Sequence, residues 1–147
     1  MKESISTIIS QLKTCWKQKN LQEGAKIHAK IVSIDLLCKH PYIGSSLVTM
    51  YAKCGALVKS QEVFDGLWVR NVVIWNALLA GYVQHGRNEE TLDFFHQMRV
   101  EGFSPDDITY ICILKACTNM GAIKKGTEIH DEIVTKDMMG KNISLDT

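Results

Sequence analysis

From Val72 to Val100 apolar residues return at helical intervals, in two runs separated by a break. Trp75, Leu78, Leu79 and Tyr82 recur at three- and four-residue steps, which puts them on one face of a helix. Gly86 follows as a residue that can turn left-handed at little cost. Asn88 is the expected cap of a second helix, with Glu89 and Glu90 favourable beside its positive end. Leu92, Phe95 and Met98 form the second stripe, and Gly102 with Pro105 closes it. A hairpin of this size cannot bury two stripes alone, so it needs neighbours of its own kind.

Those neighbours are in the chain. An offset of 31 residues lays 45–65 on 76–96, matching Tyr51 to Tyr82, Gly55 to Gly86 and Phe64 to Phe95. An offset of 102 pairs Leu12 with Leu114, Cys15 with Cys117, Gly24 with Gly126 and Ile27-His28 with Ile129-His130. The units are therefore 5–40, 41–71, 72–106 and 107–142, with 143–147 opening a fifth; the first three, of 36, 31 and 35 residues, span that larger offset. The expected fold is all-α, a right-handed α–α superhelix of about four helix-turn-helix repeats. Helices are predicted over 21–34, 43–54, 58–67, 108–120 and 123–136, besides the first, which begins near Ile8, and the central pair. Lys19-Asn20 stands where later units carry glycine, which should weaken the first turn. Neither end carries a capping unit, so the chain reads as a piece of a longer array whose outer hairpins fray first.

Composition narrows the classes. Hydrophobic residues make up 46% with only two prolines, which favours a folded helical chain over disorder. No apolar run approaches the ~20 residues that span a bilayer, so no membrane partner is expected. Five cysteines without a C-x-x-C pair suit a reducing compartment. Cys38, His40, Cys54 and His85 lack zinc spacing, and no metal or cofactor is expected. A net charge of +1 gives no global basic field, leaving any nucleic-acid contact to a local groove. The N-terminus has Lys2 but no arginine and carries Glu3, so it offers no clear transit peptide.

The words LVTMYAKCG (47–55), VFD (63–65), VVIWNAL (72–78), GFSPD (102–106), LKAC (114–117) and GTEIH (126–130), with mixed unit lengths, carry a resemblance. The chain resembles the plant pentatricopeptide repeat family, in its subclass of long (5–40, 107–142), short (41–71) and standard (72–106) units. That resemblance implies single-stranded RNA as partner, one base per repeat, read by the fifth and last residues of each unit. The fifth-residue column is Ile9, Ser45, Asn76, Ile111 and Thr147; the last-residue column is His40, Asn71, Asp106 and Asn142. The fifth residue is expected off the core, near a groove lined by first helices, where Asn or Ser can meet a base edge. In family terms Ser45 with Asn71 looks like an adenine reader and Asn76 with Asp106 a uracil reader, which implies 5′-A-U-3′. Isoleucine cannot hydrogen-bond a base, so the long units should read little. Tyr42 and Val73 are candidates to pack on base faces, and Lys53 to meet phosphate, although a helix C-terminus also favours a lysine there.

The family further implies an address module for RNA processing or C-to-U editing in a mitochondrion or chloroplast, with editing-complex proteins as partners. A protein-binding scaffold is the alternative, since helical solenoids also present grooves to peptides. No nucleophile, base and oxyanion set is present, so enzyme activity is not expected. His130-Asp131-Glu132 matches a deaminase H-x-E, but no C-x-x-C follows.

Overall fold

The computed structural model describes residues 5–35, 40–67, 69–121 and 126–135, and these form helices joined by short turns. In order they are α1 (Ile5–Gln18), α2 (Leu21–Ser33), α3 (Pro41–Lys53), α4 (Leu57–Gly66), α5 (Val72–Gln84), α6 (Asn88–Val100) and α7 (Asp107–Met120). Residues 126–135 are helical as well and are called α8. The expected helix start at Ile123, and Cys38, Asn142 and Thr147, lie outside the described residues.

The apolar stripes explain the stacking. Leu12 of α1, Ile31 of α2, Leu47 and Met50 of α3, Leu78 and Leu79 of α5, Met98 of α6 and Ile113 of α7 are all fully buried in one continuous core. Each such side chain contributes about 1.5–3 kcal/mol by leaving water. The odd-numbered helices form an inner row in which α1 touches α3, α3 touches α5 and α5 touches α7. Each of α2, α4 and α6 packs against its own partner and against the next inner helix, and these three do not contact one another. The result is a two-layered helical-repeat solenoid.

Polar bonds cross the same joints. Tyr51 on α3 meets His28 Nδ1 of α2 at 2.6 Å, and the Tyr82 hydroxyl on α5 donates to Gln61 Oε1 of α4 at 2.7 Å. Cys15 and Cys117, in the same column as these tyrosines, are buried packing residues. Burial pushes the Cys15 thiol above its ordinary range, with Glu23 adding to it. Among the described residues no group of cysteine, histidine and acidic side chains could hold a metal ion, and no helix is long and apolar enough to cross a membrane.

The hairpin turns show why the predicted cap at Asn88 falls one residue late. Gly86 takes φ 74°, and the Arg87 N–H then bonds back to the Tyr82 carbonyl at 2.9 Å, closing α5. That bond fixes Arg87 as the residue from which α6 starts, without a side-chain cap. Asn88 is instead the first residue of α6, its Nδ2 donating to the Gly86 carbonyl at 3.2 Å. The first turn solves the glycine problem differently. Lys19 itself takes the left-handed conformation (φ 56°), which costs a non-glycine residue about 1–2 kcal/mol. Its Nζ donates to the Lys53 carbonyl at 2.7 Å, at the negative end of α3, and Asn20 caps α2 by accepting the Glu23 N–H. His85 reaches the Ala52 carbonyl at 2.6 Å from the other side, so both neighbours tie off the end of α3.

Candidate nucleic-acid interface

Asp106 and Asn76 meet where α7 begins against α5. Asp106 is extended backbone (φ −115°, ψ −172°) and caps α7, accepting the Thr109 N–H at 3.1 Å. Thr109 returns the favour, its Oγ1 accepting the Asp106 N–H at 3.1 Å. This reciprocal box satisfies two donors that a helix start otherwise leaves open. Asn76, the fifth residue of α5, faces it from the neighbouring inner helix. Its Nδ2 donates to Asp106 Oδ1 at 2.9 Å, and the Thr109 hydroxyl donates to Asn76 Oδ1 at 2.6 Å. The same hydroxyl lies 3.0 Å from Asp106 Oδ1, but its single hydrogen goes to the nearer acceptor.

The carboxylate is held ionised. Partial burial raises the Asp106 pKa, but the bonds from the Thr109 N–H, the Asn76 amide and the Ile108 N–H, with the Thr109 hydroxyl close by, leave it below the ordinary 3.8. The N-terminal end of α7 favours the same charge.

Expectation and structure part company over exposure. The fifth-residue column was to sit off the core, yet Asn76 is 5% exposed and Ser45 8%. The cause at Asn76 is the stacking itself, because Asp106 and Thr109 of the next inner helix lie over it. Ile111, in the same column on α7, is 65% exposed. The other pair is built differently. The Ser45 hydroxyl donates to the Tyr42 carbonyl within α3 at 3.1 Å, and Asn71 Oδ1 accepts the Ile74 N–H at 2.9 Å as the cap of α5. The structure thus joins Asn76 to Asp106 and shows no hydrogen bond between Ser45 and Asn71.

Tyr42 and Val73 stand exposed in the first turns of α3 and α5, with Ile108 at the equivalent place on α7. Lys53 is half-buried at the last position of α3, where its carbonyl holds Lys19. Sequence reasoning missed Thr109 and Ile108. A signal for Thr109 was present, since Asp106-x-x-Thr109 has capping-box spacing, whereas Asn71 is followed by the aliphatic Ile74.

Residues 70–119, which span this junction, match the model of the PPR repeat family. A mitochondrial pentatricopeptide repeat-containing protein of Arabidopsis thaliana is 38% identical over 136 residues, covering 92% of this chain. The chain belongs to the pentatricopeptide repeat family. A chloroplastic pentatricopeptide repeat-containing protein of the same plant is 34% identical over 137 residues, or 93% of this chain. The chain spans 19% and 22% of the lengths of those two relatives, about a fifth of each. The crystal structure of the pentatricopeptide repeat protein PPR10 from maize superposes with a TM-score of 0.71 over 91% of this chain and 20% of that one. At 20% sequence identity the likeness is one of fold. In the pentatricopeptide solenoid so defined, the Asn76–Asp106 bond crosses from one inner helix to the next.

Proposed function

We propose that the chain is a segment of an RNA-binding array, each unit meeting one base of single-stranded RNA along the inner row. The observation that carries this is the Asn76–Asp106 bond, a polar pair spanning consecutive inner helices. A buried amide tied to an exposed carboxylate brings no gain in packing; the pair suits the recognition of a base edge. Membership in a family of RNA-binding helical repeat proteins supports the same reading. On it, Asn76 with Asp106 reads uracil and Ser45 with Asn71 adenine, in the order 5′-A-U-3′, and exposed Tyr42 and Val73 lie against base faces. Units 5–40, 41–71, 72–106 and 107–142 act as long, short, standard and long repeats. The whole protein serves RNA processing or C-to-U editing in a mitochondrion or chloroplast, the compartments named for the Arabidopsis relatives.

The test exchanges the pair. Asn76→Thr with Asp106→Asn, made together, should move that unit's preference from uracil to adenine in titrations with RNAs differing at one base. An unchanged preference would remove the base-reading assignment.

A further inference from the structure

The Asn76 amide has one carbonyl oxygen and two Nδ2 hydrogens to place in a site only 5% exposed. The oxygen takes the Thr109 hydroxyl at 2.6 Å, and one Nδ2 hydrogen goes to Asp106 at 2.9 Å. Thr109 is itself fully buried, and its Oγ1 is used twice, donating to Asn76 and accepting from the Asp106 N–H. A half-turn of the amide would set the Asn76 oxygen against the Asp106 carboxylate, so the group is held in one orientation. The second Nδ2 hydrogen is the one donor that Asn76 has left to offer, and no bond to it is made among the described residues.

We infer that Thr109 is a positioning residue for the base contact of Asn76, its hydroxyl engaging the amide oxygen so that the Nδ2 donor is what remains for the base. This rests on the base-reading assignment and extends it to a third residue, supplied by the unit that follows. A donor alone pairs with a base carbonyl such as uracil O4 and meets the amino group of cytosine donor to donor. Discrimination between the two pyrimidines therefore depends on Thr109, which need not touch RNA. Without the hydroxyl the buried Asn76 oxygen loses its partner and, with the amide still tied to Asp106, is left open to accept from the cytosine amino group. The Ser45–Asn71 pair has Ile74 in the corresponding place, so its reader lacks this restraint and should discriminate less sharply.

The experiment titrates the isotope-labelled 147-residue chain with short RNAs that differ only by uridine or cytidine at one position, followed by NMR. The unmodified chain should bind the uridine RNA more tightly. Thr109→Val, of nearly the same shape, should weaken uridine binding by about fivefold to tenfold and bring the ratio of the two affinities close to one. Thr109→Ser, which keeps the hydroxyl, should restore the ratio. A valine variant that kept the original ratio would overturn the role of Thr109 while leaving base reading by Asn76 intact. An unmodified chain with no pyrimidine preference would overturn both. Should Thr109→Val not fold, the unmodified chain still decides through its Asn76 side-chain protons. Slow exchange with solvent and a shift of one proton on adding the uridine RNA are expected, and free exchange of both protons would refute the inference.

Discussion

Substituting Gly81 by alanine inserts one methyl group where α5 crosses α3. A Cβ built at Gly81 lies 2.5 Å from the Ala52 Cβ, whereas carbon atoms in contact sit about 3.5–4.0 Å apart. The shortfall is about 1–1.5 Å. Neither methyl can rotate away, since both are fixed to helix backbone, so α5 must move as a body and open its packing against α3. Overpacking of this kind costs typically about 1–3 kcal/mol, and a contact anchored in backbone belongs at the upper end. Against it stands the better helix propensity of alanine, worth about 1 kcal/mol. The steric effect wins, leaving Gly81→Ala about 2 kcal/mol less stable, or roughly 4–8 °C in Tm for a chain of this size. Urea unfolding followed by circular dichroism and by tryptophan fluorescence measures the difference. The compensating change supplies the control. Ala52→Gly alone should cost about 1 kcal/mol in propensity, yet combined with Gly81→Ala it removes the clash and should return stability close to the parent. If the two effects simply add, to within about 0.5 kcal/mol, the close approach is not what makes Gly81 matter.

Further tests follow from other contacts. Ser60, buried in α4, donates to the Val48 carbonyl of α3 at 2.7 Å, so Ser60→Ala should lower stability by about 1 kcal/mol in the same urea measurement. Burial, then the charge of Lys59, holds the His28 pKa below 6.5, and the stability this gives is complete above that value and lost as pH falls through it towards the folded pKa. Tm against pH should therefore fall on acidification across that window, and His28→Gln should flatten the slope. Asp106 behaves as a depressed carboxylate: its contribution is present above 3.8 and is lost as pH drops through its lower folded value. The Tm difference between the parent chain and Asp106→Ala should shrink correspondingly in acid, and a constant difference would refute the ionised cap.

What could be read from the chain was what local chemistry decides. The stripe of Trp75, Leu78, Leu79 and Tyr82 is buried as its spacing requires, and Gly86 turns left-handed where α5 stops. The missed cap at Asn88 was also local, but it needed the knowledge that one residue, Arg87, both closes one helix and opens the next. Burial of Asn76 could not be read in its own helix, because its cover comes from Asp106 and Thr109, thirty and thirty-three positions onward. Tolerance of Lys19 in a left-handed turn likewise depends on a carbonyl 34 residues away. Periodicity reports which face a residue occupies; it does not report what the next layer lays over that face.

The missing contacts among α2, α4 and α6 have a mechanical consequence. Each of α2, α4 and α6 is wedged between two inner helices like the stave of a fan, and among the described residues nothing fastens these three to one another; the Arg99–Glu132 pair ties only α6 to α8. A pull along the stack would therefore spread the convex rim while the inner spine stays closed. On that geometry the pitch of the coil should change at its rim before any joint of the spine gives way.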